Sequence, residues 1–209
     1  MMACCSKVIC NGCHHANKMR EAERRLIESC PFCREPTPST VEASDKQRMK
    51  RIEANDPVAM CREGLEQYNK GDYRSALKYW AKAAELGNVT AHCQLAGLYH
   101  HVHGVEKDKQ KEIHHLEEAA IGGHPDARKK LGYLEGHNYR YERAVKHLII
   151  AANQGSDESI KFLLQRFRNG IVSKEDLDTA LRAHQAAVDA TKSPQREAAE
   201  EYYRNRRCR

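Results

Sequence analysis

The sequence predicts an all-α protein, a helical solenoid of stacked hairpins that follows a small cysteine-rich N-terminal segment. Three observations support this prediction. A short stretch returns along the chain at a nearly constant interval, apolar residues recur with the period of a helix, and good helix formers dominate the composition. Aromatic residues make up only 6% of the 209 residues. This length accommodates one medium domain and a smaller one.

The repeated stretch begins near residue 55. The segments ANDPVAM, LGNVTAH, GGHPDAR and QGSDESI align at Asn55, Gly87, Gly123 and Gly155, which lie 32, 36 and 32 residues apart. Four residues later each repeat has a small side chain, which lets two helices approach closely: Ala59, Ala91, Ala127 and Ser159. An interval of this size is typical of a solenoid, in which each hairpin buries its apolar face against the next.

Apolar stripes with helical spacing support the same architecture. The first stripe comprises Tyr73, Ala76, Leu77, Trp80, Ala83 and Ala84. The second comprises Ala144, Val145, Leu148, Ile149 and Ala152. The third follows a capping box and comprises Leu177, Ala180, Leu181, His184 and Val188. We therefore interpret Trp80 as a core residue. We expect the clustered histidines to be solvated or partly packed, namely His100, His101, His103, His114 and His115.

The helix ends also carry signals. Ser173 and Asp176 form the predicted capping box, and Pro125 suits the first turn of a helix. A glycine after each second helix suits the left-handed position that ends a helix. Before the repeats, Pro36 and Pro38 predict a break, which a polar helix from about Val41 to Glu53 would follow.

The stretch AHCQLAGLYHHVHGVEKDKQKEIHHLEEAAIGGHPDARKKLG resembles a Sel1-like repeat. The residues that match the family pattern are Ala91, Leu95, Tyr99, Gly104, Val105, Asp108, Lys111, Ala119, Ala120, Gly123, Ala127, Leu131 and Gly132. Ala96, Val102 and Glu112 depart from it. The flanking units look closer to tetratricopeptide repeats. This resemblance, from about Asn55 to Ala190, implies a right-handed superhelix whose concave face binds a protein partner.

The N-terminal cysteines predict a zinc site. The pattern C-x2-C-x16-C-x2-C places four thiolates in two tight turns, as tetrahedral zinc requires. The simplest interpretation is one zinc held by Cys10, Cys13, Cys30 and Cys33, which leaves Cys4 and Cys5 without a role. We interpret the remaining Cys61 and Cys93 as small apolar residues of the core.

The same stretch also resembles the latter part of a RING finger, in which ligand pairs alternate between two zinc ions. The resemblance implies that Cys30 and Cys33 share a zinc with Cys5 and with Cys4, because Lys7 occupies the usual histidine position. It also implies that Cys10 and Cys13 share the other zinc with an upstream knuckle, which we expect to be missing before Met1. In ligases of this family, residues at the places of Pro31 and Arg34 contact the ubiquitin conjugate.

The whole layout resembles a family of diatom proteins with a RING-like finger and Sel1 repeats. We expect residues 1–35 to form a truncated RING-like zinc-binding segment and residues 36–54 a linker with a connecting helix. Residues 55–190 would form the repeats, and residues 191–209 a C-terminal helix with a basic tail.

The predicted function is an intracellular protein-interaction scaffold, cytoplasmic with the nucleus as the other open compartment. A reducing compartment is indicated because clustered cysteines accompany no signal-peptide or membrane-spanning pattern. The alternative is a RING-type ubiquitin ligase, in which the repeats hold the substrate and a ubiquitin-conjugating enzyme is a second partner. The sequence contains no phosphate loop and no residues marked for catalysis. Nucleic acid is not an expected partner, because basic residues are not concentrated around the cysteine pairs and no aromatic stacking platform is visible. Membranes are not expected either, because no apolar run is long enough to span a bilayer.

Overall fold

The computed structural model describes residue 5 and residues 9–101 and 105–207. Eleven α-helices account for most of these residues, and the described part has no β-strand beyond one isolated bridge. The first helices are α1 (Asn11–Glu23), α2 (Val41–Glu53), α3 (Pro57–Asn69) and α4 (Tyr73–Glu85). The next are α5 (Val89–His100), α6 (Lys109–Ile121), α7 (Pro125–His137) and α8 (Tyr141–Asn153). The last are α9 (Asp157–Arg168), α10 (Lys174–Thr191) and α11 (Pro194–Arg207).

The chain divides into two compact units. The first contains residues 1–63 and 192–209, and the second contains residues 64–191. The boundary along the chain therefore falls within α3. None of the described helices combines the length and the hydropathy that a bilayer span requires.

In the first unit, α1 packs against α11. The two backbones come close at Gly12, because a Cβ atom built there would lie 2.8 Å from the backbone nitrogen of Arg196. Ala199 is fully buried, and the ring of His15 contacts that of Tyr202 at a centroid distance of 4.7 Å. The sequence analysis predicted neither α1 nor this pairing.

The connecting helix α2 occupies the predicted residues, with the Thr40 hydroxyl accepting a hydrogen bond from the backbone of Ala43 at its start. Its buried residue Arg48 donates to Glu63 of α3 at 2.7 Å and to Asp45 at 2.6 Å. Because both carboxylates satisfy the guanidinium, this arginine can be buried without an unpaired charge. The ion pair fixes α2 against the beginning of α3.

The second unit is a run of helical hairpins in which each helix from α4 to α9 packs against the next, and α10 packs against α8 and α9. The predicted all-α solenoid is therefore confirmed. Its hairpins end on glycines with positive φ, namely Gly87, Gly123 and Gly155, as the sequence predicted. Helix starts are capped by short polar side chains: Asp72, Asn88, Asp108 and Ser156.

The repeat core consists largely of the predicted small and aliphatic residues. Ala59, Ala91, Ala127 and Ser159 are all buried. Trp80 is 1% exposed and packs on Gly64, where a Cβ would lie 2.5 Å from its indole ring. Cys61 and Cys93 are buried too, as predicted.

The third apolar stripe differs in part from its prediction. Leu177 and Ala180 are buried, but Leu181 is exposed. Among the described helices, α10 packs mainly on α8 and α9, so its buried face is narrower than the sequence stripe. The capping box before this helix is present, because Ser173 Oγ accepts from the Asp176 backbone at 3.0 Å and donates to the Asp176 carboxylate at 2.7 Å.

Candidate functional sites

Three cysteines of the first unit lie together. The Sγ atoms of Cys5, Cys30 and Cys33 are all within 4.8 Å of one another, and those of Cys5 and Cys30 are 3.5 Å apart. Cys30 is fully buried, Cys5 is half-buried and Cys33 is exposed. This is the only group of three or more potential metal ligands within the described residues.

A tight turn positions the second and third of these thiols. The backbone of Cys30 pairs with that of Glu35, and the N–H of Arg34 donates to the carbonyl of Cys30 at 2.9 Å. The Phe32 N–H donates to Cys30 Sγ at 3.4 Å. Backbone donors of this kind stabilise a thiolate and orient it toward a metal.

The donor set fits zinc. Tetrahedral zinc with Zn–S bonds of about 2.3 Å separates its sulfur ligands by about 3.8 Å. The Cys5–Cys30 distance of 3.5 Å is close to this value. Three thiols would supply three of the four ligands, and Cys4, the predicted fourth, lies outside the described residues.

The other predicted pair stands elsewhere in the segment. Cys10 caps the N-terminus of α1, and its Sγ accepts from the Cys13 backbone N–H at 3.3 Å. That hydrogen bond, a second one with the Cys13 side chain and the proximity of Arg196 lower the pKa of Cys10 to about 7. The hydrogen bond to Cys10 raises the pKa of Cys13. Neither thiol belongs to the group formed by Cys5, Cys30 and Cys33.

The geometry therefore favours one of the two groupings that the sequence left open. Cys30 and Cys33 face Cys5, as the cross-braced arrangement implies, and not Cys10 and Cys13. Next to the group, Pro31 is half-buried, whereas Arg34 is exposed with a φ of +63°.

The second unit contains a pocket of about 480 Å³ between α5, α6 and α7. Its basic lining residues are Lys107, Lys109, Lys130, His100, His101 and His137. The three lysines are exposed and form no ion pair with the described residues. Leu116 and Leu134 add apolar surface. The sequence analysis missed this pocket, although basic residues recurring at the ends of neighbouring helices were a usable signal.

One carboxylate lies within this basic lining. Glu112 is buried, and its Oε1 accepts from His100 Nδ1 at 2.7 Å. It is one of the positions that depart from the Sel1 pattern. Because Glu112 pairs with His100, it does not neutralise the exposed lysines of the lining, which are available to a ligand.

The histidines that were predicted to be solvated or partly packed occupy both kinds of position. His114 is exposed, whereas His115 is half-buried against His92, with their Nδ1 atoms 3.0 Å apart. Burial and the neighbouring imidazoles of His92 and His114 lower the pKa of His115 to about 4. Tyr99 stacks on the His115 ring at 5.8 Å. His103 lies outside the described residues.

Comparison with known proteins identifies the repeats. The family model described as Sel1 repeat matches residues 59–88, 89–124 and 125–156, so this stretch carries three consecutive Sel1 repeats. No curated protein matches the chain.

Three solved structures are similar to this chain, and the first of them shares its fold. A Sel1 repeat protein from Oxalobacter formigenes is 24% identical, with a TM-score of 0.63 over 85% of this chain and 71% of that one. A protective antigen of uropathogenic Escherichia coli strains with an SLR fold is 17% identical, with a TM-score of 0.46 over 78% of this chain and 48% of that one. An immunity protein from Pseudomonas aeruginosa is 20% identical, with a TM-score of 0.48 over 78% and 62%.

Proposed function

We propose that this chain is a protein-interaction scaffold whose Sel1 repeats hold a partner protein in the pocket between α5, α6 and α7. The observation that carries the proposal is the lining of that pocket. It combines three exposed lysines with apolar surface from Leu116 and Leu134. A segment of a partner protein that places an apolar side chain between acidic ones would complement both features.

In this proposal the N-terminal cysteines bind a structural zinc ion through Cys5, Cys30 and Cys33, with Cys4 as the fourth ligand. Zinc would fix the turn at residues 30–33 by replacing three separate thiol contacts with metal–thiolate bonds. Residues 1–35 would then form the zinc-binding segment, and residues 36–54 the linker and connecting helix. Residues 55–190 would form the repeat scaffold, and residues 191–209 its C-terminal helix and tail.

The test of the scaffold is partner binding by the full chain. Proteins retained by the wild type should be lost when Lys109→Glu and Lys130→Glu are combined, because the lining then repels an acidic segment. Lys82→Glu changes a lysine on α4, outside the lining, and should retain the partners. Circular dichroism should show equal helicity in all three proteins. Equal retention by wild type and the Lys109/Lys130 variant would reject the pocket as the binding site.

A ubiquitin ligase is the second candidate, and the grouping of Cys5, Cys30 and Cys33 favours it because RING fingers pair their ligands in this alternating order. Arg34 would then contact the ubiquitin conjugate from its exposed position after Cys33. Pro31 would lie at the same contact. The chain would activate the thioester of a conjugating enzyme without forming a covalent intermediate of its own.

The ligase candidate is tested by the discharge of ubiquitin from conjugating enzymes to free lysine. Ligase function requires the wild type to accelerate discharge and Arg34→Ala to abolish the acceleration. If no conjugating enzyme in a representative panel responds to the wild type, the ligase candidate is rejected. The scaffold proposal is unaffected by that result, because it requires only binding.

A further inference from the structure

An arginine-rich groove lies in the first unit, at the end of α1. It encloses about 550 Å³ between the last turn of α1 and the turn that carries the cysteines. Its basic lining residues are Arg20, Arg24, Arg25 and Arg34. The lining also contains two exposed apolar side chains, Leu26 and Ile27, which are 59% and 79% exposed.

The charge in this groove is largely uncompensated. Arg20 donates to the Asn17 side chain at 2.5 Å, but Arg24, Arg25 and Arg34 form no ion pair with the described residues. The one acidic lining residue, Glu21, accepts from the Ser29 hydroxyl at 2.7 Å and from the Ser29 backbone at 3.2 Å. These bonds direct its carboxylate to Ser29, so three guanidinium groups face solvent without a counter-charge.

The backbone is strained at two of these arginines. Arg25 and Arg34 both have positive φ, at 54° and 63°. Arg25 occupies the position after the C-cap of α1, since its N–H donates to the Ala22 carbonyl and that of Leu26 donates to Glu21. In the repeats, glycine fills this position after α4, α6 and α8, because glycine adopts positive φ without strain. A non-glycine residue there costs backbone energy, at Arg25 as at Asn55 after α2 and Tyr139 after α7.

We propose that this groove binds an acidic segment of a partner protein through its arginines, with an apolar side chain of that segment against Leu26 and Ile27. Arginine pairs with carboxylates in a planar, two-point geometry, which suits glutamate and aspartate. A polypeptide supplies acidic and apolar side chains together. A single-stranded nucleic acid would instead require aromatic stacking surfaces, and the lining of this groove contains none.

This site is separate from the pocket proposed for the repeats, since the two linings share no residue. It also differs from the ligase candidate, which requires Arg34 but makes no demand on Arg24 or Arg25. Variants of Arg24 and Arg25 therefore test the groove independently of both proposals.

The test measures binding of a fluorescein-labelled peptide in which glutamates alternate with leucines, by fluorescence anisotropy with the full chain. The wild type should bind, and the affinity should fall as salt is raised, because exposed charge pairs are screened. A peptide with glutamine in place of glutamate should not bind. A single-stranded oligonucleotide is the competing ligand, and tighter binding of it than of the peptide would overturn the proposal.

Two variants separate a binding role from a structural one. Arg24→Glu combined with Arg25→Glu should abolish peptide binding. Arg25→Gly removes the side chain but relieves the positive φ, so we expect about five-fold weaker binding with an equal or higher melting temperature. If Arg25→Gly instead lowers the melting temperature and leaves the affinity unchanged, the arginine is structural and the proposal fails.

The controls are an exposed arginine of the same unit and the lysines of the repeats. Arg204→Glu alters α11 outside the groove and should bind the peptide as the wild type does. The Lys109→Glu and Lys130→Glu variant should also bind normally. Loss of binding in either control to the same extent as in the groove variant would show non-specific attraction of an acidic peptide and overturn the proposal.

Discussion

Small side chains at the same position of each repeat show how single residues build this fold. Ala91, Ala127 and Ser159 are fully buried at the start of α5, α7 and α9. Eight residues after the aligned glycines Gly87 and Gly123, Leu95 and Leu131 are buried as well. A charged side chain at either leucine would have no partner in that core.

Leu95→Asp and Leu131→Asp should each unfold the repeats. Losing the leucine costs about 2–3 kcal/mol, and burying an unpaired carboxylate costs several more, against a net stability of about 5–15 kcal/mol. Ile121→Asp is the matched control, because Ile121 is 76% exposed and its replacement should cost under about 1 kcal/mol. Urea denaturation followed by circular dichroism measures all three. A wild-type midpoint for Leu95→Asp would show that this position is not core.

His115 should make the stability of the repeats sensitive to mild acid. Its pKa is lowered to about 4 in the folded chain from an ordinary value of about 6.5. The unfolded chain therefore binds a proton below about pH 6.5 that the folded chain takes up only near pH 4, so stability falls across this window as the pH decreases. His92, His124 and His147 act in the same direction, because burial lowers the pKa of each.

Thermal melting at about pH 7 and about pH 5 tests this contribution. The wild type should lose melting temperature on acidification, and His115→Gln should lose less. His114→Gln, a change at the exposed neighbour, should behave more like the wild type. An equal loss in wild type and His115→Gln would assign the acid sensitivity to other groups.

At the scale of helices, glycines lie where two neighbouring helices pack closely. Gly64 of α3 faces Trp80 of α4, and Gly132 of α7 faces Leu148 of α8. These glycines lie within helices, where glycine is unfavourable by about 1 kcal/mol relative to alanine. Close packing of the hairpins offsets that cost. By contrast, Gly97 of α5 has no atom within 4 Å of the position that a Cβ would take.

Gly64→Ala and Gly97→Ala should therefore change stability in opposite directions. The Gly64 methyl group would lie 2.5 Å from the indole of a fully buried tryptophan, and overpacking of this kind costs about 1–3 kcal/mol. The Gly97 methyl group meets open space and should stabilise α5 by up to about 1 kcal/mol. Chemical denaturation of both variants gives the comparison. Destabilisation of similar size in both would contradict the close approach of α3 and α4.

The sequence predicted most of the repeat unit because its signals are local and periodic. A residue and its nearest neighbours are enough to predict the glycines that end the hairpins, the proline that begins α7 and the stripe around Trp80. By contrast, α1 has few apolar residues, and its buried positions include Gly12 and Glu21. Its packing on α11 joins residues nearly two hundred positions apart, which no local pattern specifies. Likewise, spacing could not decide which cysteine pairs share a metal, because both groupings contain the same two C-x-x-C pairs.

At the scale of the whole molecule, the two units differ in how their cores are built. The unit that contains residues 64–191 is held by a repetitive apolar core. Among its described residues, the other unit has few buried aliphatic side chains around its cysteines, where Cys30 is fully buried. A structural metal would supply the cohesion that so small a core lacks, since bound zinc contributes about 10–16 kcal/mol in isolated fingers. We therefore expect this unit to depend on zinc bound by one specific set of cysteines.

The zinc content of the full chain, measured by native mass spectrometry after equal dialysis, tests this claim most directly. We expect one zinc ion in the wild type and one in Cys10→Ser, because Cys10 lies outside the group of three thiols. Cys5→Ser and Cys30→Ser should lose the ion, since each removes one of those thiols. Two tightly held ions in the wild type, or an unchanged zinc content in Cys5→Ser with loss in Cys10→Ser, would contradict the account.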